Sequence, residues 1–353
     1  MSYDEDRLRR ELEIHGQNMN KDVKIALIGQ PGAGKSSLIN ALTGKDLFET
    51  GVRTDVTVKK QEAKLNNLYI VDLPGYGTKR FPLNSWLEEF QPEKLDLYLF
   101  VFSGKLHDSD ADLFQYFKEW KRERNHPYFI ISNKVDQLWD ERKTLDELKS
   151  EIHNDVCAAM ESQDAKVYFT SCKTQEGIDE LRKVLLSSEA AIPSILRSRM
   201  IAEFKAKSVE DLNLKKRGCL NDLDYYAYSA AANGLNPIPG VDAGVDLAIL
   251  MKMFADFRAR FELDRESLKE YEFLTPIARK IFNYAAKEGI MPLLKSLGKK
   301  YATRSVYKYI PLFGQIASAV VGYKMVVAVG ESYIDDCYNL AKVVLENSMA
   351  KET

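Results

Sequence analysis

Gly29-Gln30-Pro31-Gly32-Ala33-Gly34-Lys35-Ser36 sets three glycines, a lysine and a hydroxyl at the spacing G-x-x-x-x-G-K-S. Such glycines let successive backbone N–H groups of Gly29, Gly32, Ala33 and Gly34 turn toward one anion, and a helix opening behind them adds its positive end. Lys35 supplies a point charge able to bridge two phosphates. Ser36 offers its hydroxyl to Mg²⁺, which prefers octahedral oxygen coordination, and Ser37 stands beside it as a further nucleotide contact. Downstream, Asp72-Leu73-Pro74-Gly75 carries the carboxylate such a cation needs, and the Gly75 N–H is placed to meet a terminal phosphate. Alone, that tetrad reads as a strand-ending turn. Behind a phosphate loop it reads as the second half of a metal site.

A loop that senses the terminal phosphate needs a threonine between these two points, closing over the metal with its hydroxyl and carbonyl. Thr50, Thr54 and Thr57 are the candidates. Thr57, immediately before an expected edge strand, is favoured as metal ligand and catalytic residue alongside Lys35 and Gly75, with Thr54 second.

Asn133-Lys134-Val135-Asp136 reads a base. Guanine presents two adjacent donors, N1–H and the exocyclic amine, and one aspartate accepts both, whereas adenine would leave that aspartate unpaired. Asp136 takes this role, the Lys134 stem lies on the ring, and Asn133 ties the loop back to the phosphate loop. Ser171-Cys172-Lys173 follows as the loop whose backbone N–H meets the guanine O6. Each string is short, but their order and their strand-end placement together point to GTP and GDP as ligands.

The elements that must position these residues are legible as alternating patterns. Apolar runs at Val23–Ile28, Leu68–Val71, Leu95–Phe102, Tyr128–Ile131 and Val167–Phe169 read as strands, with helical patterns at Lys35–Leu42, Ala111–Trp120, Leu145–Met160 and Ile178–Leu186 between them. That alternation implies a mainly parallel sheet covered on both faces, an α/β Ras-like P-loop domain, with Thr57–Lys64 as an antiparallel edge. After Pro193 strand signals stop and an all-helical domain is expected. The divisions read are 1–20, a short helix returning to pack on the helical domain; 21–187, the nucleotide domain; and 188–353, the helical domain.

Bulk composition limits the partners. Fifty Lys and Arg face 52 Asp and Glu in 353 residues, an ordinary soluble balance with no surplus that would mark a nucleic-acid protein. Cys157, Cys172, Cys219 and Cys337 stand far apart, with no metal spacing, and read as reduced thiols. The N-terminus lacks a signal-peptide pattern, so a cytoplasmic location is expected.

Tyr76 follows the Asp72–Gly75 tetrad where many small signalling GTPases place a water-orienting glutamine. Slow intrinsic turnover is expected, completed by a group from self-association across the nucleotide face or from a partner. Gly32 stands where potassium-dependent GTPases carry asparagine, which argues against a monovalent-ion mechanism.

With these motifs and the distal helices in view, the chain resembles the immunity-related GTPases, a dynamin-like, interferon-inducible family. The resemblance covers nearly the whole chain and is carried by Pro237-Ile238-Pro239-Gly240-Val241-Asp242, by Phe261-Glu262-Leu263-Asp264-Arg265-Glu266-Ser267-Leu268, and by Pro311-Leu312-Phe313-Gly314 with Ala317, Ser318 and Ala319. It implies a Ras-like domain followed by a helical domain built from both chain ends, GTP-dependent oligomerisation, and association with intracellular membranes in cell-autonomous defence. The segment before Asp72 departs from the family, with Thr54-Asp55-Val56-Thr57 and a shorter hairpin.

Pro311–Gly330 is apolar for nearly the 20 residues a span needs, but Gln315, Ser318, Tyr323 and Lys324 interrupt it. A spanning helix would carry Lys324 at a cost of roughly 2.5–3.5 kcal/mol. Helical-domain core is the favoured reading, ahead of an interfacial helix. Two other functions share the nucleotide loops: a ribosome-assembly or signalling GTPase, and a nucleotide-gated scaffold with little turnover.

Overall fold

A computed structural model describes residues 2–50, 60–79, 81–124, 126–187, 191–233, 246–264, 275–284, 289–290, 292 and 310–352. The described chain divides into two compact units, Lys21–Lys205 and Met1–Asn20 with Ala206–Thr353.

The first unit is built on a six-stranded sheet: β1 (Val23–Gly29), β2 (Gln61–Leu65), β3 (Leu68–Asp72), β4 (Leu97–Phe102), β5 (Tyr128–Asn133) and β6 (Val167–Thr170), in spatial order β2-β3-β1-β4-β5-β6. Among the described strands only the β2–β3 pair is antiparallel. All six residues of β4 are buried, as expected of a continuous apolar strand covered on both faces. On β2 burial instead alternates, which suits the half-solvated edge. The expected edge strand thus begins at Gln61; Thr57 and Thr54 lie outside the described residues.

The covering helices are α2 (Lys35–Thr43), α3 (Leu83–Phe90), α4 (Asp108–Arg124), α5 (Leu145–Ala159), α6 (Ile178–Ser187) and α7 (Ser194–Glu203). Their ends follow local chemistry. Thr144 and Glu147 form a capping box that starts α5, and Gly44 in a left-handed conformation stops α2. Helix α3 is an element the strand-helix alternation does not reveal; its Trp86 is fully buried against Tyr76 and Phe90. The boundary between units falls after Lys205, beyond the expected division at 187/188 and the composition change after Pro193, because α7 packs on α6 and β3. The Lys205 N–H donates to the Thr43 carbonyl at 2.8 Å, and the buried Arg182 guanidinium holds both the Leu42 and the Lys205 carbonyls.

The second unit contains helices throughout its described residues: α1 (Ser2–Asn20), α8 (Val209–Asn233), α9 (Leu247–Arg260), α10 (Thr275–Asn283) and α11 (Ile310–Glu352). Its core gathers Leu223, Tyr226, Phe254, Phe257, Val326 and Tyr333. Met253, Phe257 and Phe261 of the α9 segment are buried in the same core, and Ile249 packs at its edge. Met325, Val326 and Val329, within the apolar run read at 311–330, are core residues as well. Among the described residues no helix is long and apolar enough to cross a membrane.

The N-terminal helix joins this unit through a partly buried polar contact. His15 Nε2 lies 2.7 Å from Asp222 Oδ1, and Arg260 pairs with the other carboxylate oxygen. Burial alone would raise the Asp222 carboxyl, but the His15 hydrogen bond and the Arg260 charge outweigh it and hold it below 3.8.

Candidate functional site

Sheet register creates the site. Strand β1 is flanked by β3 and β4, so the chain leaves it at the point where the strand order reverses, the place where open α/β sheets bind ligands. Leu27 of β1 lies opposite Asp72 of β3, which brings the end of β3 beside the start of the phosphate loop. Asn133 ends β5 opposite Thr170 of β6. The phosphate loop, the segment after Asp72 and the loops after Asn133 and Thr170 therefore emerge at the carboxyl edge of the parallel strands.

In the phosphate loop, Gly34 precedes α2 with φ +84°, and a Cβ there would stand 2.6 Å from Asn133 Nδ2, so glycine is required on both counts. Lys35 is 6% exposed, and its ammonium donates to the Gly29 and Gln30 carbonyls at 3.1 Å each. Burial lowers its pKa from 10.5, and the neighbouring Asp72 charge offsets part of that. The Ser36 hydroxyl donates to Asp72 Oδ2 at 2.6 Å, and Asp72 is fully buried. A hydroxyl and a carboxylate in contact, beside a buried ammonium, are an all-oxygen set that fits a hard divalent cation such as Mg²⁺.

The second loop is fastened to the first: Asn133 Nδ2 donates to the Ala33 carbonyl at 2.9 Å. Thr170 Oγ1 in turn donates to Asn133 Oδ1 at 3.1 Å, orienting the amide. Lys134 takes φ +63°, turning the chain into a short 3₁₀ segment that leaves Asp136 exposed. The Ser171 hydroxyl donates to Asp136 Oδ1 at 2.6 Å, which aims that carboxylate. Cys172 Sγ lies 3.7 Å from Asn133 Oδ1, and burial pushes its thiol pKa up, so it stays protonated at neutral pH. Gly34, Ser37, Lys134, Asp136, Cys172 and Lys173 line a pocket of about 400 Å³, within the range of small-molecule sites. Thr50 also borders it.

Two residues of this neighbourhood escape motif reading. Tyr76 is buried and its hydroxyl donates to Asp110 Oδ1 at 2.6 Å, while Gln30 Nε2 donates to Asp110 Oδ2 at 2.7 Å. Burial, and then the Asp110 charge, raise the Tyr76 pKa well above 10. Gln30 occupies a variable position of the phosphate motif, and Asp110 looks like an ordinary acidic residue in a first helical turn, so neither carries a sequence signal.

The strand order, the phosphate loop on β1 and the base loop on β5 define a P-loop guanine-nucleotide-binding protein. The family model for interferon-inducible GTPases (IIGP) matches residues 13–348, and the chain belongs to that family. Relatives include interferon-gamma-inducible GTPase 10 of Mus musculus, 34% identical over 129 residues, covering 34% of this chain and 30% of the relative. Interferon-inducible GTPase 1 of Mus musculus is 27% identical over 281 residues, covering 70% of this chain and 63% of the relative. The chain therefore spans less than two thirds of the length of either relative. Among solved structures, a probable GTP-binding protein engB aligns at 22% identity and a TM-score of 0.34, over 46% of this chain and 95% of the other.

Proposed function

We propose that this chain is a magnesium-dependent GTP hydrolase whose nucleotide cycle drives self-association across the nucleotide face and peripheral contact with intracellular membranes in the cytoplasm, in the service of cell-autonomous defence. The observation that carries the nucleotide part is the convergence of the Ser36–Asp72 pair and the Ser171–Asp136 pair on one sheet edge, joined by the Asn133–Ala33 hydrogen bond. Self-association, the membrane and the defence role rest on family membership and on the names of the interferon-inducible relatives.

Phosphoryl transfer asks mainly for positioning and charge neutralisation. Lys35 supplies a cation already desolvated, so its charge acts at full strength on an incoming phosphate. Ser36 and Asp72 would hold Mg²⁺, which when bound neutralises charge on the phosphate oxygens. Gly75 offers its backbone N–H to the terminal phosphate, and Thr57, with Thr54 as the alternative, would supply a further oxygen to the metal. Asp136 reads the base, and Lys134, Cys172 and Lys173 enclose it.

Tyr76 cannot orient the attacking water while its hydroxyl is committed to a buried carboxylate. A residue from outside this site must therefore finish it, and a second copy is the proposed source. Light scattering during turnover tests this. Scattering should grow on adding GTP, decay as GTP is consumed, and be accompanied by a turnover number that rises with protein concentration. Monomeric behaviour with concentration-independent turnover would contradict the self-association reading.

A further inference from the structure

Asp110 is fully buried at the start of α4, and each donor it is given is neutral: Gln30 Nε2 at 2.7 Å, the His107 backbone N–H at 2.7 Å and the Tyr76 hydroxyl at 2.6 Å. Among the described residues no cation is paired with it; a buried carboxylate held this way is costly, and three hydrogen bonds only compensate for its desolvation. Such a group is a poor choice for stability alone. Its two side-chain donors come from segments of direct interest: Gln30 belongs to the phosphate loop and Tyr76 follows Gly75.

The two segments also touch directly. A Cβ on Gly75 would stand 2.6 Å from the side chain of Pro31, so the chain at Gly75 lies flat on the phosphate loop. Residue 31 thus meets residue 75, and residue 30 meets residue 76 through Asp110. Beyond them the Trp86 indole donates to the Pro74 carbonyl at 2.8 Å, and the Tyr76 and Trp86 rings pack edge to face at 5.4 Å. The Gln30 carbonyl in turn accepts a hydrogen bond from the Lys35 ammonium. One continuous chain of contacts runs from Lys35 through Gln30 and Asp110 to Tyr76.

We infer that Asp110 is a positioning residue, a latch that through Gln30 and Tyr76 holds the Gly75 backbone in fixed register with the phosphate loop and thereby sets the preference for a nucleoside triphosphate over a diphosphate. This rests on the GTPase reading above. A diphosphate lacks the phosphate that Gly75 meets, so loosening the latch withdraws an interaction from GTP and none from GDP. The position taken by a catalytic glutamine in other GTPases is here given over to holding the loop.

Tyr76→Phe, Gln30→Leu and Asp110→Asn test the latch by calorimetry with GMPPNP and with GDP, alongside GTP turnover. Each variant should keep GDP affinity within about twofold and lose about tenfold for GMPPNP, the scale of one hydrogen bond to a charged group. The turnover number at saturating GTP should fall with it. A GMPPNP to GDP ratio equal to wild type overturns the latch, whether both affinities fall together or neither changes. If Asp110→Asn does not fold, Tyr76→Phe decides, since it removes one hydroxyl from a retained ring. Failure of the GTPase reading is separately visible, because wild type would then bind neither nucleotide.

Discussion

Asp136→Asn is expected to lower affinity for GTP and GDP by about a hundredfold or more, while leaving the thermal stability of the unliganded protein unchanged. The carboxylate offers two equivalent acceptors to the two adjacent donors of guanine, and the Ser171 hydroxyl donates to Oδ1 at 2.6 Å and so fixes its plane. An asparagine that keeps the Ser171 bond through its own Oδ1 turns an amide N–H toward a guanine N–H. One charge-assisted bond is lost, worth about 1.5–3 kcal/mol, and a donor is left facing a donor. At about 1.4 kcal/mol per factor of ten, this amounts to a hundredfold or more. Because Asp136 is exposed, its loss has no packing consequence. The same geometry predicts a gain for xanthine nucleotides, whose ring carries a carbonyl where guanine carries the amine. Competition of XTP and GTP for wild type and variant measures both effects. Unchanged GTP affinity would remove Asp136 from the base site.

Lys35→Met is expected to weaken GTP binding by about a hundredfold, on the scale of charged hydrogen bonds to phosphate, without destabilising the unliganded protein. Methionine keeps the buried aliphatic volume and deletes the charge. Burial is what lowers the Lys35 pKa, with Asp72 offsetting part, so the folded chain holds that proton less tightly than the unfolded chain. The unfolded state therefore binds more protons in the range just below 10.5, and stability rises with pH there. The cost of the buried ammonium is present below the depressed value and is relieved as pH climbs through it. Denaturant midpoints for wild type should thus gain on those of Lys35→Met as pH approaches 10.5, with the variant at least equal at pH 7. A variant clearly less stable at pH 7 would show that the ammonium is a net stabiliser of the loop.

Much of the nucleotide unit is legible in the sequence because its strands are buried on both faces and so appear as unbroken apolar runs such as Leu97–Phe102, ended by the residues that do chemistry. The Ser36–Asp72 and Asn133–Ala33 contacts follow from strand ends and register, which motif order encodes. Other features depend on partners distant in the chain. Gln30, Tyr76 and Asp110 become a unit only when β1, the end of β3 and α4 are packed, and the sequence around any one of them does not point to the other two. The end of the first unit escapes for a similar reason. The composition changes near Pro193, but Arg182 reaches the carbonyls of Leu42 and Lys205 and holds the next twelve residues to the sheet side of the boundary. Helix α3 is short, and Trp86, which fixes it, reveals its role only through its indole bond to Pro74.

Titration calorimetry of the wild-type protein with GTP, GDP and ATP, each with and without Mg²⁺, tests the central claim most directly. GTP and GDP should bind with one site per chain, GTP more tightly when Mg²⁺ is present, and ATP should be weaker by about a thousandfold or more, because adenine lacks the two adjacent donors that would meet the Asp136 carboxylate. Equal affinity for ATP, or no uptake of either guanine nucleotide by folded protein, would contradict it.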